Sequence, residues 1–165
     1  MREDIRVFDS LEALSENAAA LFDGYCRSAV EARGGFRAAL SGGATPLPLF
    51  SLLGSGYRER ILWNRTDIFW TDERCVPPDH KDSNFKAAFD SFLSRVTIPD
   101  ENVHRIFGEL RPEEAAERYE QELKRAFGAT VPVFDLIVLG IGEDGHVASL
   151  FPGDNALEEK ERLFR

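Results

Sequence analysis

The sequence contains few cysteines and no long apolar run. Only Cys26 and Cys75 are cysteines among its 165 residues. They form neither a Cys-x-x-Cys pair nor a Cys/His cluster of the kind that binds a metal ion, so we expect two reduced thiols and no disulfide framework. No apolar stretch approaches the ~20 residues that a transmembrane helix needs. The sequence therefore predicts that the chain does not span a membrane.

The sequence also lacks a signal peptide pattern and an excess of basic residues. Residues 1–6 mix charges, and no apolar segment with a small-residue cleavage site follows them. Lys and Arg number 20 against 29 Asp and Glu, which gives a net charge of −9 at pH 7. Such a charge disfavours nucleic acid and anionic membranes as partners. We expect a cytoplasmic protein that binds a small molecule, with any anion held in a local basic pocket.

Strand-like and helix-like segments alternate along the chain. Helices are predicted between Ser10 and Gly34, after the glycine turn near Pro46, over 84–96 and over 112–127. Strands are predicted over 5–8, 36–40, 67–71, 103–107 and 134–139. This alternation predicts an α/β fold, namely a doubly wound, mostly parallel sheet with helices on both faces in a Rossmann-like three-layer sandwich. No repeat or linker divides residues 1–165, so we expect one domain.

The first of three chemically promising strand ends is the segment 41–46, which reads SGGATP. Ligands of doubly wound sheets bind beyond the carboxyl ends of the strands. Gly42 and Gly43 let the backbone approach a ligand, and Ser41 and Thr45 add hydroxyl groups, an arrangement that suits an anion held by backbone N–H groups. A simple turn between a strand and a helix is the alternative. No GKS or GKT follows, so the segment is not a Walker loop.

The second strand end carries a charged triplet, Asp72, Glu73 and Arg74. The planar guanidinium of Arg74 matches the oxygens of a phosphate or a carboxylate, and Asp72 can orient a neighbour or keep it charged. A solvated charge cluster is the alternative interpretation. The apolar strand that precedes the triplet favours a functional site.

The third strand end is the segment 140–153, which reads GIGEDGHVASLFPG. His146 follows Asp144 by two positions in this glycine-rich loop, a setting that suits a general base near neutral pH. Only the first two glycines fit a dinucleotide fingerprint, so NAD binding is not expected. A lone histidine is usually structural, and we assign no role to His80 or His104.

The three strand ends together resemble the 6-phosphogluconolactonase family, within the glucosamine/galactosamine-6-phosphate isomerase-like superfamily. The resemblance rests on 41–46, on 71–74 with 83–85, and on 139–153, in this order. It implies an ester hydrolase that converts 6-phospho-D-glucono-1,5-lactone to 6-phosphogluconate in the oxidative pentose phosphate pathway. It implies no metal and no organic cofactor.

The resemblance also implies roles for individual residues. His146 would take a proton from the water that attacks the lactone carbonyl, and Asp144 would hold the imidazole. Arg74 or loop N–H groups would face the developing oxyanion, with Asp72 beside them, and the choice between these donors stays open. The substrate, including its phosphate, would be bound by Ser41, Gly42, Gly43, Thr45, Arg74, Gly145 and Ser149.

Two other functions remain as alternatives. Glucosamine-6-phosphate deaminases share the SGG loop and the DGH core, but they carry an acidic residue just before the proline. Phe151 occupies that position here, and a phenylalanine cannot exchange a proton. A non-catalytic sugar-phosphate binding module would keep the SGG loop and Arg74 without needing His146 beside Asp144.

The end of the chain departs from the family pattern. Members of the family continue with further strands and helices, including basic residues that meet the phosphate, whereas this sequence stops at Arg165. The stretch 155–165 is short and highly charged, and it cannot cover a sheet face. We therefore expect a C-terminally incomplete domain and an intact protein heavier than 18.5 kDa.

Overall fold

Four parallel strands form one sheet in this computed structural model, which describes residues 4–128 and 131–164. The strands are β1 (Phe36–Leu40), β2 (Thr66–Trp70), β3 (Val103–His104) and β4 (Leu136–Ile137). Their order across the sheet is β3-β2-β1-β4, and each neighbouring pair is parallel. The predicted parallel α/β sheet is confirmed.

The helices begin and end where local sequence signals place them. They are α1 (Leu11–Arg33), α2 (Leu47–Leu53), α3 (Asn84–Ser91) and α4 (Pro112–Phe127), with short 3-10 turns at Trp63–Arg65, Leu93–Arg95, Asp100–Asn102 and Asn155–Glu158. The Ser10 hydroxyl accepts the N–H of Ala13 at 3.1 Å, and Gly34 ends α1 in the left-handed region at φ 80°. Within the described ranges, no helix is both long and apolar enough to cross a membrane.

Helices cover both faces of the sheet. Successive residues of a strand point to opposite faces, so Phe36 of β1 and Phe69 of β2 lie on opposite sides, given the register that pairs Phe36 with Thr66. The ring of Phe22 in α1 lies 5.1 Å from that of Phe36, and the ring of Phe127 in α4 lies 5.3 Å from that of Phe69. The predicted three-layer arrangement is confirmed.

Several predicted element boundaries are wrong. The segment 5–8 forms no strand, because Ile5 and Val7 are 86% and 90% exposed and pair with no strand of the described chain. The helix predicted over 84–96 ends at Ser91 and continues only as a 3-10 turn. β3 and β4 are two residues long each, although the N–H of Val138 still donates to the carbonyl of Ala39 at 2.9 Å.

Two apolar surfaces are less buried than the sequence pattern suggests. α1 buries Phe22 and its smaller residues, whereas four of its large apolar residues are exposed: Leu11, Leu14, Leu21 and Tyr25. Ile137 and Leu139, in the most apolar predicted strand, are 48% and 52% exposed. β4 lies at the edge of the described sheet and pairs with β1 on one side only.

The strand order creates a switch point between β1 and β4. The chain builds β1, β2 and β3 in one direction and then places β4 on the other side of β1. The loops that leave β1 and β4 therefore diverge, and a crevice opens between them at the carboxyl edge of the sheet. These loops are the segments 41–46 and 140–153, which places two of the predicted motifs at the crevice.

Candidate active site

A cavity of about 370 Å³ occupies this crevice. All three predicted loops contribute to its wall, through Ser41, Gly42, Thr45, Asp72, Arg74, Gly142 and His146. The apolar part of the wall comes from α1 and from the end of β4, including Leu14, Ala18, Val138 and Leu139. Four other predicted site residues do not line the cavity, namely Gly43, Asp144, Gly145 and Ser149.

His146 and Asp144 form a hydrogen-bonded pair at the cavity. The Nδ1 atom of His146 lies 2.5 Å from Oδ1 of Asp144, and the His146 backbone N–H donates to the same oxygen at 3.2 Å. The side-chain hydrogen bond from His146, followed by the backbone one, lowers the pKa of Asp144 below its ordinary value. A charged Asp144 holds the proton on Nδ1, which leaves Nε2 as the ring nitrogen that can accept a proton.

Glycine is required in the loop that carries this pair. A Cβ atom added at Gly142 would lie 2.2 Å from the His146 ring, so a side chain at this position would displace the imidazole. Gly145 has φ +88°, a left-handed conformation that permits the turn in which its N–H donates to the carbonyl of Gly142 at 3.0 Å. On the far side, the ring of Phe151 lies 4.5 Å from the ring of His146.

Glu73 and Arg74, in the charged triplet at the end of β2, have different roles. The carboxylate of Glu73 accepts the backbone N–H groups of Asn84 at 2.7 Å and Phe85 at 2.9 Å, together with the Ser83 hydroxyl at 3.1 Å. Glu73 therefore caps α3. Arg74 is exposed, and no carboxylate of residues 4–128 or 131–164 forms an ion pair with its guanidinium. Arg74 is thus available to an anionic ligand.

Asn84 joins the SGG loop to the loop after β2. Asn84 is buried, with 4% of the residue exposed, and its Nδ2 donates to the carbonyl of Asp72 at 3.0 Å. A Cβ atom at Gly42 would lie 1.7 Å from its Oδ1, so glycine is necessary at this contact. Gly43 adopts φ +94°. The SGG loop is therefore held by tertiary packing as well as by its own turn.

Asp72 contacts hydroxyl groups rather than Arg74 or His146. Its Oδ2 accepts from the Ser149 hydroxyl at 2.8 Å, and its Oδ1 accepts from the Thr71 hydroxyl at 3.2 Å. Ser149 does not line the cavity, but it is hydrogen-bonded to Asp72, which does. The sequence interpretation gave no role to Thr71, Glu73 or Asn84. These three residues make contacts between loops that are distant in sequence, and no local sequence pattern predicts such contacts. The only sequence signal for them was their position within or beside the motifs.

The remaining histidines and the cysteines have structural or surface positions. His104 is buried and lies between Asp67, at 3.0 Å from Nε2, and Glu122, at 2.6 Å from Nδ1, as expected for a structural histidine. Cys26 is buried, Cys75 is exposed, and both are free thiols, as predicted. Among residues 4–128 and 131–164, no cluster of three His, Cys, Asp or Glu side chains could hold a metal ion.

The proteins to which this chain is similar belong to one family. Residues 9–164 match the family described as glucosamine-6-phosphate isomerases/6-phosphogluconolactonase. The chain is 43% identical to the probable 6-phosphogluconolactonase 3, chloroplastic, of Oryza sativa subsp. indica, over 93% of this chain and 50% of that protein. It is 37% identical to the 6-phosphogluconolactonase of Nostoc sp. (strain PCC 7120), over 99% of this chain and 68% of that protein.

A solved structure shows the same fold. The crystal structure of 6-phosphogluconolactonase from Thermotoga maritima superposes with a TM-score of 0.79 at 35% identity, and the match covers 90% of this chain and 64% of that chain. The present chain therefore spans about half the length of its rice relative and less than two thirds of this structure. The family match over residues 9–164 includes both strand ends of the crevice.

Proposed function

Because the chain belongs to the glucosamine-6-phosphate isomerase/6-phosphogluconolactonase family, we propose that the protein hydrolyses 6-phospho-D-glucono-1,5-lactone to 6-phosphogluconate. One observation carries this proposal: the His146–Asp144 pair, at 2.5 Å, lies at the cavity that the SGG loop and Arg74 also line. A general base and an anion-binding group then face one bound molecule, as hydrolysis of a phosphorylated ester requires.

The proposed reaction begins with water at Nε2 of His146. As the water oxygen attacks the lactone carbonyl, its proton moves to Nε2, and Asp144 stabilises the imidazolium that forms. The carbonyl oxygen becomes an oxyanion, which Arg74 or backbone N–H groups of the loops stabilise. When the intermediate collapses, the bond between the carbonyl carbon and the ring oxygen breaks. His146 returns the proton to the leaving oxygen, and the chemistry calls for no metal or organic cofactor.

The phosphate end of the substrate is assigned to the part of the cavity that the SGG loop lines, and Arg74 lines the same cavity, where it could face either the phosphate or the oxyanion. Ser41, Gly42 and Thr45 line this cavity together with Arg74, and the left-handed conformation of Gly43 suits a loop that binds an anion through backbone N–H groups. Gly145 shapes the loop that holds His146, and Ser149 fixes that loop to Asp72. These contacts provide a local cationic and N–H-rich site in a protein whose net charge is −9.

Phe151 favours lactone hydrolysis over deamination of an amino sugar. Its ring is seated 4.5 Å from the His146 ring, at the position where a deaminase would need a carboxylate for proton exchange. A non-catalytic binding module has no use for the hydrogen bond that orients His146, and that bond disfavours this alternative. We place the reaction in the cytoplasmic oxidative pentose phosphate pathway, which the two free thiols support.

The variant His146→Ala tests the proposed function. Loss of a general base typically costs ~10²–10⁴-fold in rate, so kcat for the lactone, corrected for spontaneous opening, should fall by that amount. The melting temperature should stay near the wild-type value, because the ring is partly exposed. His80→Ala, at an exposed histidine outside the cavity, is the control and should keep full activity. A loss of only a few-fold in His146→Ala would contradict the assignment.

A further inference from the structure

We propose that Thr71 is a positioning residue, which links the SGG loop to the His146 loop through the carboxylate of Asp72. Its hydroxyl lies 2.8 Å from the Ser41 hydroxyl and 3.2 Å from Oδ1 of Asp72. The other carboxylate oxygen accepts from Ser149 at 2.8 Å. This inference rests on the proposed function, because it assigns Thr71 a part in that reaction.

The number of available protons decides which hydroxyl donates and which group accepts along these contacts. A hydroxyl group carries a single proton, and Asp72 can only accept when ionised. The carbonyl of Leu40, 3.3 Å from the Thr71 hydroxyl, already accepts the Thr71 backbone N–H at 2.9 Å. The arrangement that satisfies all groups has Ser41 donating to Thr71 and Thr71 donating to Asp72. The hydroxyls of Thr71 and Ser149 thus hold the Asp72 carboxylate, one on each oxygen, through charge-assisted hydrogen bonds.

The same carboxylate controls the loop that carries His146. Ser149 lies three residues beyond His146, and Ala148 between them has φ +52°, a conformation that costs a non-glycine residue energy and persists only when neighbouring contacts enforce it. The Ser149–Asp72 hydrogen bond is one such contact. The N–H of Leu150 also donates to the carbonyl of Val147 at 3.0 Å, and this hydrogen bond closes the turn that contains Ser149. Thr71 therefore acts on His146 through two hydrogen bonds and one tight turn.

Thr71 should affect the rate more than the binding of substrate. The SGG loop keeps its contact with the buried Asn84 whether or not Thr71 has a hydroxyl, so groups assigned to the phosphate stay in place. The orientation of His146, in contrast, loses support. Removing one hydrogen bond to a charged group should lower kcat by about tenfold.

The variant Thr71→Val tests this inference, because valine keeps the shape of threonine and lacks the hydroxyl. We expect kcat to fall about tenfold, KM to change by less than about threefold, and Thr71→Ser to restore kcat. The double variant Thr71→Val/Ser149→Ala should lose little more than the larger single loss, since both act through Asp72. An unchanged kcat in Thr71→Val, or single losses that multiply in the double variant, would overturn the proposal.

A spectroscopic readout separates this inference from the proposed function. The ¹H–¹⁵N signals of the His146 ring should shift in Thr71→Val and return in Thr71→Ser, with the signals of the buried His104 unchanged in both. If the wild-type protein does not hydrolyse the lactone, the proposed function is wrong. The His146 signals then still test whether Thr71 positions the His146 ring. Ring signals identical in Thr71→Val and wild type would show that Thr71 does not position His146.

Discussion

At the scale of single residues, hydrogen-bond partners separate the charged groups that hold the fold from those left for a ligand. Glu73 and Arg74 are neighbours in sequence, yet the Glu73 carboxylate accepts three hydrogen bonds from donors at the start of α3. The Arg74 guanidinium contacts no carboxylate of the described chain. An exposed guanidinium stays hydrated without a carboxylate partner, so no ion pair has to break before it binds an anion. This supports the proposed role of Arg74.

Arg74→Lys tests whether Arg74 binds through its planar fork. A lysine keeps the charge but cannot make two parallel hydrogen bonds, so kcat/KM for the phosphorylated lactone should fall by about tenfold or more. Steady-state kinetics measure the effect. Arg58→Lys, at an exposed arginine outside the cavity, should leave kcat/KM unchanged. Equal kinetics for Arg74→Lys and wild type would remove Arg74 from the site.

Sequence could predict some residue contacts and not others. Asp144 and His146 are two positions apart, so their pairing follows from a local loop. The Ser149–Asp72 hydrogen bond joins residues 77 positions apart, and nothing in the sequence indicates which hydroxyl meets that carboxylate. The tight contact between Gly42 and Asn84 is likewise a product of the tertiary fold. Motif membership could place these residues near the site, but it could not give their partners.

At the scale of secondary structure elements, α4 completes hydrogen bonding at the end of β2. β3 ends at His104, opposite Phe69, so Trp70 extends beyond its neighbour on that side. The phenol of Tyr119 fills the gap: it accepts the Trp70 N–H at 2.9 Å and donates to the Trp70 carbonyl at 2.8 Å. Burial raises the pKa of Tyr119, which keeps the phenol protonated as a donor. Trp70 directly precedes Thr71 and Asp72, so α4 supports the site.

Tyr119→Phe should destabilise the protein by about 1–3 kcal/mol, because two buried backbone groups of Trp70 lose their partner. Urea unfolding measures the change in the free energy of unfolding. Tyr25→Phe removes a phenol hydroxyl from a residue that is 49% exposed and should change that free energy by less than about 0.5 kcal/mol. Equal stabilities of the two variants would show that the Tyr119 hydroxyl contributes nothing to β2.

Element boundaries were predictable where their signals are local. Pro112, the acidic first turn and the basic last turn define α4, and the structure has it over Pro112–Phe127 as predicted. Strand lengths depend on partners that the sequence does not reveal. The segment 5–8 has strand-like residues but pairs with no described strand, and β4 is shortened at the sheet edge.

At the scale of the whole molecule, topology brings together three loops that are far apart in sequence. The order β3-β2-β1-β4 places the carboxyl ends of β1, β2 and β4 around one cavity. Alternation of strands and helices was sufficient to predict this edge as the site, because parallel strands share one carboxyl edge. Which strand would lie at the sheet border was not predictable, since it depends on non-local pairing.

The most direct test of the account is hydrolysis of 6-phospho-D-glucono-1,5-lactone compared with that of the unphosphorylated lactone. The site combines a general base with a separate anion-binding wall, so both parts should contribute to kcat/KM. We predict enzyme-catalysed opening of the phosphorylated lactone well above the spontaneous rate, with kcat/KM at least ~100-fold higher than for the unphosphorylated compound. No acceleration over spontaneous opening, or equal kcat/KM for the two lactones, would contradict the assignment of this cavity.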